Sequence, residues 1–537
     1  MSSILIKNGL IVDGSGKLPY KGDLLIENER IKTVSDMSLP DSAADEVIDA
    51  CGKVVTPGFI DIHRHCDAKP LNDPSFADCM IKQGITTTVV GNCGISMTPA
   101  PASLDGAKEM YKFHEPVLGP IEAGLVTTYD DYLKAIEKVS MPLNFASMVG
   151  FGSVKISIKG FADTPFTKDE LKQAYDTIDN ALASGAAGVS VGIMYIPECY
   201  TKTEEYAEIL KAVGKHHAVV TAHIRGEGDS MVQSVKEIIE IGKKAGCAVE
   251  VSHFKSCGMK NWRKDIHTAI GLINDARAQG QDVSCDFYPY EGGSTSLTTM
   301  VPPKFVAGDM KKALEKMGTE EGIEEFRQLS SQTFDDWDNF AITLGWDRIL
   351  ISGVTKSHNR KYINKNVAEC AKEFGFKDDA EFVCKLLHDE DGNVAIINLS
   401  MCQDDIDTVA KLPYSTIISD AIYADTDTPH PRMYGAFPKA IREYVVERKM
   451  LSLEQTVNKM TALPASRMKL QDRGLLKEGY FADVNVFDLH EFRDNATFAK
   501  PTLPATGLYK CIMNGHVVLS GGEVIKTDAG KVIKVKR

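Results

Sequence analysis

The sequence contains no closely spaced pair of cysteines. Its twelve cysteines are scattered along 537 residues, and none forms a CxxC pair. This absence excludes a zinc ribbon and a thioredoxin-like redox motif, because both need cysteines at short spacing. A chain of this length does not need disulfides, so we expect most of the cysteines to be buried thiols.

Long apolar runs and an excess of positive charge are also missing. No apolar run approaches the length of a membrane span, and the first residues, MSSILIKNG, lack the apolar segment of a secretory signal. The formal net charge of −13 argues against a broad nucleic-acid or anionic-membrane surface, because either would need a basic face. We therefore expect a cytoplasmic protein with neither partner, in which a few local cations meet any anionic substrate.

The composition is that of a globular protein with a large core. Apolar residues make up 43% of the chain, and 537 residues are enough for more than one domain. Residues 1–56 read as short strands broken by turns, and residues 475–537 have the same texture. We predict that these two terminal segments pair into one small β-sandwich.

The middle of the chain, residues 57–474, alternates short strands with amphipathic helical segments. One helix begins at Thr167, where Thr167 and Glu170 form a capping box. Eight segments are predicted as strands: 59–62, 86–90, 144–149, 188–192, 219–222, 249–252, 282–288 and 416–419. Eight strands alternating with helices predict an α/β fold, a TIM-type (β/α)8 barrel whose carboxyl-terminal strand ends surround one pocket.

The alternation breaks between about residues 294 and 400. This stretch is too long for a barrel loop and contains helical segments and two strand-like runs at 349–351 and 394–397. We interpret it as an insertion over the barrel mouth that acts as a lid. An excursion packed on the flank of the barrel is the alternative.

Potential metal ligands stand at the ends of five predicted strands. His63 and His65 are two residues apart, so in a strand both imidazoles would face the same side. The other four strands run into one potential ligand each: Cys93, His223, His253 and Asp420. Nitrogen, thiolate and carboxylate donors together suit zinc, whereas magnesium and calcium prefer oxygen ligands only.

A zinc site of this kind predicts a hydrolase. Zinc with an open coordination position activates water at neutral pH. Asp420 beside that water could accept its proton and return it to a leaving amine, as amide cleavage requires. Cys93 would be a strong zinc donor or a bridge between two ions, and without a metal it would be a small buried residue.

Several segments of the sequence carry a specific pattern. They are Gly58–Asp61 followed by His63-Arg64-His65, the stretch from Gln83 to Ser96, Ala222–Arg225, Ser252–Lys255, Tyr288–Tyr290 and His430–Pro438. Together they resemble the D-aminoacylase (N-acyl-D-amino-acid deacylase) branch of the amidohydrolase superfamily over nearly the whole chain. The most specific piece is Gly91-Asn92-Cys93-Gly94, because most amidohydrolases have a lysine, often carboxylated, where this branch has the cysteine.

The resemblance implies a set of roles. Cys93, His223 and His253 would hold a tightly bound zinc ion. A second, weaker position would be served by His63, His65 and Asp420, with Asp420 as the catalytic general acid/base. Contacts to the carboxylate and acyl group of the substrate would fall on five positions: Lys255, Tyr195, Tyr288, Ser294 and Arg432.

The five substrate positions also have structural interpretations. Lys255 and Arg432 could be rim charges in ordinary ion pairs. Tyr195, Tyr288 and Ser294 could simply pack the barrel mouth. A substrate carboxylate in a net-negative protein needs a fixed cation, which favours a binding role for Lys255 or Arg432. Arg225 competes for that role.

The chain departs from the family pattern in two places. The family usually continues His-X-His with two aspartates, whereas this chain has Cys66-Asp67. It usually has glycine after the catalytic aspartate, whereas here Ala421 follows Asp420. The first departure bears on the weaker metal position and the second on the shape of the pocket floor.

The sequence therefore predicts a zinc-dependent amidohydrolase that cleaves the amide of an N-acyl-D-amino acid. One rival is another amidohydrolase reaction, such as opening of a cyclic amide or cleavage of a dipeptide. A rival of a different class is a metal-free binding paralogue on the same barrel. The D-preference comes only from the resemblance, and the substrate side chain, the number of ions and the oligomeric state stay open.

Overall fold

The computed structural model describes residues 2–73, 75–122, 124, 126–335, 337–424, 426 and 428–537. Its strands are β1 (Ser3–Ile11), β2 (Tyr20–Glu27), β3 (Arg30–Ser35), β4 (Glu46–Asp49), β5 (Val54–Pro57), β6 (Phe59–Asp61), β7 (Ile85–Val90), β8 (Asn144–Ser147), β9 (Val149–Gly150), β10 (Gly188–Gly192), β11 (Val219–His223), β12 (Ala248–Val251), β13 (Val283–Phe287), β14 (Gly293–Ser296), β15 (Ile349–Val354), β16 (Val394–Asn398), β17 (Ser415–Ile417), β18 (Val484–Phe487), β19 (Leu508–Met513), β20 (His516–Ser520) and β21 (Glu523–Val524).

Helices follow most of the central strands. They are α1 (Lys69–Asn72), α2 (Asp78–Ile81), α3 (Leu104–Leu118), α4 (Tyr129–Ile136), α5 (Phe151–Lys159), α6 (Lys168–Ala183), α7 (Thr203–Ile209), α8 (Lys211–Lys215), α9 (Met231–Ala245), α10 (Asp265–Ala278), α11 (Pro303–Val306), α12 (Met310–Met317), α13 (Glu320–Ser330), α14 (Phe340–Thr343), α15 (Val367–Glu373), α16 (Asp379–Asp389), α17 (Gln403–Ala410), α18 (Arg432–Ala440), α19 (Leu453–Met460) and α20 (Ala462–Arg467). The predicted capping box of Thr167 and Glu170 begins α6. None of the described helices combines the length and hydropathy that crossing a bilayer requires.

Eight parallel barrel strands form the centre of the molecule. One run of paired strands has the order β6-β7-β8, and the other has the order β9-β10-β11-β12-β13-β17. Strands β8 and β9 are two halves of one barrel strand, separated only by Met148. The strands are buried along their whole length apart from Ala248, as expected for a parallel sheet that helices cover. These eight strands form the predicted TIM-type barrel.

The barrel closes between its first and last strands, just beyond β6 and β17. The backbone N–H of Asp420 donates to the carbonyl of His63 at 2.9 Å, and that of His65 donates to the carbonyl of Ala421 at 2.9 Å. Behind this seam lies the guanidinium of Arg64, which is completely buried. It donates to Tyr423 Oη at 2.9 Å and Ser419 Oγ at 3.0 Å, and it lies 3.4 Å from Asp61.

Strands from both ends of the chain form one further sheet of nine strands. Strand β5 near the N-terminus pairs antiparallel with β18 near the C-terminus, and the register matches Pro57 with Val484. The sheet surrounds a hydrophobic core of its own, which includes Ile6, Leu24 and Val55. This sheet with its own core is the predicted β-sandwich. Because β5 continues directly into β6, the β-sandwich is attached to the first barrel strand.

The segment between β13 and β17 interrupts the barrel. Strands β14, β16 and β15 form a separate antiparallel sheet in that order. Helices α11 to α16 pack with it around a second hydrophobic core, which contains Phe326, Ile351, Phe382 and Val394. The two strand-like runs of the sequence, at 349–351 and 394–397, are strands β15 and β16 of this sheet.

Removal of the buried charge at the barrel seam is expected to destabilise the fold. The Arg64→Met variant should lower the free energy of unfolding by about 3 to 5 kcal/mol, because it leaves the buried Asp61 carboxylate without its cation. Urea unfolding followed by tryptophan fluorescence and circular dichroism would measure the loss. Arg30→Met is the control: its side chain is 45% exposed and pairs with Asp472 at 3.1 Å, so the expected cost is about 1 kcal/mol or less. Equal stability losses in the two variants would contradict the structural role of Arg64.

Candidate metal centre

Six potential donor side chains converge at the carboxyl-terminal mouth of the barrel. Three overlapping groups have donor atoms within 4.8 Å of one another: His63, His65 and Cys93; Cys93, His223 and His253; and His63, His253 and Asp420. Every member is buried. These six are the residues that the sequence predicts as metal ligands.

The barrel seam and the neighbouring strand ends bring these donors together. Strand β6 leads to His63 and His65, and the seam places Asp420 beside them; Asp420 Oδ1 lies 3.4 Å from His63 Nε2 and 3.5 Å from His65 Nε2. Cys93 follows β7, and its Sγ lies 3.2 Å from His63 Nε2 and 3.4 Å from His253 Nε2. His223 ends β11, with its Nδ1 3.0 Å from His253 Nε2.

Three of the candidate ligands have a strained backbone. The φ angles of Cys93, His253 and Asp420 are 53°, 36° and 50°, in the left-handed region that residues with a Cβ rarely adopt. Each such residue costs on the order of 1 to 3 kcal/mol, and such residues concentrate at functional sites. The chain turns sharply after β7, β12 and β17, and each turn aims one donor at the same point.

Two carboxylates lie behind the imidazoles, on the Nδ1 side of the rings. Glu227 Oε1 lies 3.0 Å from His253 Nδ1, and Asp286 Oδ2 lies 3.5 Å from His63 Nδ1. The Lys255 ammonium also lies 2.7 Å from His253 Nδ1, and the Nε2 atoms of both rings face Cys93, where they can bind a cation. The sequence did not single out Glu227 or Asp286, and the only available signal was a carboxylate shortly after β11 or within β13.

The charges of the donors influence one another strongly. Burial alone would raise the pKa of the Cys93 thiol. The nearby His63 and His253 lower it by more than burial raises it, so this pKa lies well below its ordinary value. Burial likewise raises the pKa of Asp420, but Arg432 and His63 lower it, and the result is well below the ordinary value. These neighbours favour the thiolate of Cys93 and the carboxylate of Asp420, which are the forms that bind a metal.

The donor set fits zinc. Ligands at tetrahedral zinc lie about 3.3 to 3.8 Å from one another, given bond lengths of about 2.0 to 2.3 Å. The separations of 3.2 Å and 3.4 Å between the Cys93 sulfur and the two imidazole nitrogens are close to this range. Thiolate and imidazole together favour zinc over magnesium and calcium.

A small cavity opens beside these donors. It has a volume of about 30 Å³, and its lining includes the predicted substrate residues Tyr195, Lys255, Tyr288 and Ser294. Tyr195 Oη lies 3.2 Å from His223 Nδ1. The buried Tyr288 Oη has no hydrogen-bond partner among the described residues, so it is free to bind a ligand.

The three candidate cations lie in different environments. Lys255 lines the cavity and is already paired, with Nζ 2.6 Å from Glu227 Oε1. Arg432 is fully buried, and its Nη1 lies 2.8 Å from Asp420 Oδ2, so it acts on the proposed catalytic carboxylate. Arg225 is bound to Glu237 at 2.9 Å and to backbone carbonyls, and it is not part of the cavity wall.

The insertion covers this cavity. Gly293, Ser294, Thr295, Phe340 and Asn398, all from the insertion or its first strand, contribute to the lining. A second contact holds the insertion to the loop after β11. Asp338, which is 4% exposed, accepts hydrogen bonds from the backbone N–H of Gly228 at 2.6 Å and of Ser230 at 3.0 Å. The segment therefore lies over the barrel mouth and not on its flank.

The two departures from the family pattern lie next to the donors without joining them. Cys66 and Asp67 are both buried, and neither belongs to the three donor groups. Burial raises the pKa of Asp67 to about 7. Ala421 is buried in the seam, where its carbonyl accepts the hydrogen bond of His65.

Comparison with known proteins identifies relatives over the whole chain. A model of the amidohydrolase family matches residues 46–111 and 388–519. D-aminoacylase of Alcaligenes xylosoxydans xylosoxydans is 31% identical over an alignment of 541 positions, which covers 99% of this chain and 97% of that protein. N-acyl-D-glutamate deacylase of the same organism is 31% identical over 534 residues, which cover 98% of this chain and 97% of that protein.

A solved structure agrees with these relatives. N-acyl-D-glutamate deacylase of Bordetella bronchiseptica, crystallised with zinc and a phosphonate inhibitor that mimics the tetrahedral intermediate, superposes with a TM-score of 0.84. The two chains are 29% identical, and the match covers 99% of each. By its sequence and its structure, the chain belongs to the D-aminoacylase family of the amidohydrolases.

Proposed function

We propose that the protein is a zinc-dependent hydrolase that cleaves the amide bond of an N-acyl-D-amino acid and releases a carboxylic acid and the free D-amino acid. The observation that carries this proposal is the convergence of six buried donors on one cavity that also contains a lysine and an unpartnered tyrosine hydroxyl. Relatives named for this activity align over nearly the full chain. The same convergence argues against a metal-free binding paralogue.

The metal roles are those that the family resemblance implies. Cys93, His223 and His253 form one of the donor groups and would hold the tightly bound ion. Asp420 lies within 3.5 Å of His63 and His65, and these three would serve a second, weaker position. When bound, zinc polarises the acyl carbonyl and lowers the pKa of a coordinated water. Glu227 and Asp286 would help to orient the rings of His253 and His63 from the Nδ1 side.

Asp420 would move the proton. Its carboxylate is ionised, because the adjacent Arg432 and His63 keep its pKa well below the ordinary value despite its burial. It would accept a proton from the attacking water and return it to the nitrogen of the departing D-amino acid. In this account Arg432 orients Asp420, which differs from the direct substrate contact expected from the sequence.

Lys255, Tyr288, Ser294 and Tyr195 would bind the rest of the substrate. Lys255 is the one lysine or arginine among the described residues that line the cavity, and the Tyr288 hydroxyl has an unused donor. Both suit the α-carboxylate of an amino acid. The preference for the D-enantiomer is supported by the named activities of the relatives.

The insertion would have to move before substrate can bind. A cavity of about 30 Å³ holds about two water molecules, which is far less than an N-acyl-amino acid needs. We infer that residues 294–400 act as a lid that opens for entry and product release. The boundaries at 56 and 475 and the cytoplasmic location stay predictions.

Replacement of the proposed proton carrier should abolish turnover without loss of the metal. For Asp420→Asn, kcat with an N-acetyl-D-amino acid should fall by about 10³-fold or more, because the amide side chain cannot accept the proton. The content of tightly bound zinc, measured by inductively coupled plasma mass spectrometry, should stay near that of the wild type. A kcat within tenfold of the wild type would reject the proposed role of Asp420.

Removal of the thiolate should remove the tightly bound ion. We expect the Cys93→Ser variant to purify with less than about a tenth of the wild-type zinc, because a neutral hydroxyl replaces a charged zinc donor. Cys257→Ser is the matched control: Cys257 is also buried, but burial raises the pKa of its thiol to about 12, and it belongs to none of the donor groups. If both variants kept their zinc, the proposed coordination by Cys93 would be wrong.

Neutralisation of the cavity lysine should weaken substrate binding. For Lys255→Met we expect kcat/KM to fall by about 10²-fold or more, mostly through KM, since a buried partner of the substrate carboxylate is lost. Lys260→Met is the control, because Lys260 is 60% exposed and pairs with Asp229 outside the cavity. An unchanged KM with a reduced kcat would show that Lys255 acts through His253 instead of on the substrate.

A further inference from the structure

A series of cavities leads away from the candidate metal centre toward the surface. The first is the substrate cavity described above. The second, also about 30 Å³, is lined among others by Phe113, Ile156 and Ile196. The third, about 20 Å³, is lined among others by Met194, Val301 and Trp337. The last is an open groove of about 580 Å³ between α3 and the insertion.

Neighbouring members of this series share their walls. The first and second cavities have in common Cys93, Ile95, Val117, Tyr195 and Thr295. The second and third share Phe113, Tyr195, Ile196, Thr298 and Thr299. The third cavity and the groove share Phe113, Thr298 and Met310. We call the second and third cavities together the apolar row.

Apart from Cys93, which borders the candidate metal centre, the walls of the apolar row contain few ionisable groups. Burial lowers the pKa of His114 to about 3 and raises the pKa of Glu198 to about 8, which favours the neutral form of both. Thr299 Oγ1 donates to the carbonyl of Ser296 at 2.7 Å, and Thr298 Oγ1 lies 2.8 Å from Ser296 Oγ. Among the described residues, no lysine, arginine or aspartate lines the second or third cavity.

The position of the apolar row relates it to one part of the substrate. Lys255, Tyr288 and Ser294, which would hold the α-carboxylate, line only the first cavity, whereas Cys93 borders the second as well. In an N-acyl-amino acid the side chain shares its carbon with the carboxylate, but the acyl chain is bonded to the reacting carbonyl carbon. The acyl chain is therefore the part of the substrate that would extend from the reacting carbonyl toward the cavity that Cys93 borders.

We propose that the apolar row is the acyl subsite and that the preferred substrates are N-acyl-D-amino acids with an aliphatic acyl chain longer than acetyl. This inference rests on the proposed function. An acetyl group needs only the first cavity, whereas each further methylene can enter the apolar row beside side chains such as Phe113, Ile156 and Ile196. Small apolar cavities in proteins stay free of water and accept apolar groups of matching size.

The test is a chain-length series at constant amino acid. The kcat/KM values of N-acetyl, N-butyryl, N-hexanoyl and N-octanoyl derivatives of one D-amino acid should rise from acetyl to hexanoyl by up to about fourfold per added methylene. A parallel series would keep the N-acetyl group and lengthen the D-amino acid side chain. A gain confined to this second series would assign the apolar row to the side chain and overturn the proposal.

Two variants test the assignment from opposite directions. Ile156→Phe fills part of the second cavity and should move the preferred acyl length down toward acetyl. Phe113→Ala enlarges the second and third cavities and the groove, and should move the preferred length upward. Phe374→Ala is the matched control, because it removes another partly buried phenylalanine packed on the same hydrophobic core, away from the row. Its preferred length should be that of the wild type.

The possible outcomes distinguish a failure of the acyl subsite from a failure of the proposed function. Zinc content and the thermal midpoint of each variant would show that it is folded. Hydrolysis of the N-acetyl compound with a flat or falling acyl series would overturn the acyl subsite and leave the proposed function intact. No hydrolysis of any N-acyl-D-amino acid would overturn both. Identical shifts of preferred length in Phe113→Ala and Phe374→Ala would also contradict the subsite.

Discussion

Parallel pairing between the chain after β6 and the chain after β17 closes the barrel, and the whole site depends on this seam. The two backbone hydrogen bonds at 2.9 Å that join His63 to Asp420 and His65 to Ala421 link residues more than 350 positions apart in sequence. Without the seam, two of the imidazoles and the Asp420 carboxylate would belong to opposite edges of an open sheet. The buried Arg64, held by Tyr423 and Ser419, stabilises the pairing from behind.

Charge balance explains why the site is suited to a divalent cation. Four formally negative groups, Cys93, Glu227, Asp286 and Asp420, are grouped with two positive ones, Lys255 and Arg432. Burial makes such an excess of negative charge costly unless a cation is bound or protons are taken up. A doubly charged ion would bring the group to neutrality. A negatively charged substrate would then meet a neutral site with one lysine at its wall.

Much of the fold and of the candidate site could be predicted because both depend on residues at the ends of strands. Short buried strands followed by histidine, cysteine or aspartate identify a barrel rim, and the structure brings all six donors together there. The sequence could not indicate which cations already have partners. Arg225 is bound to Glu237 and Arg432 to Asp420, and these pairings join residues on different elements. Glu227 and Asp286 were missed for the same reason, since their importance comes from the imidazoles that they face.

The contact of Asp338 with the loop after β11 couples the position of the insertion to the order of the site. That loop contains Glu227, which accepts a hydrogen bond from Lys255 and lies beside His253. The carboxylate of Asp338 clamps the next residues of the loop through Gly228 and Ser230. A displaced insertion would thus leave the loop less restrained and the floor of the site less ordered, so full catalytic geometry would be assembled only in the covered state. Hydrolysis of compounds that keep the insertion from covering the barrel mouth would therefore be disfavoured.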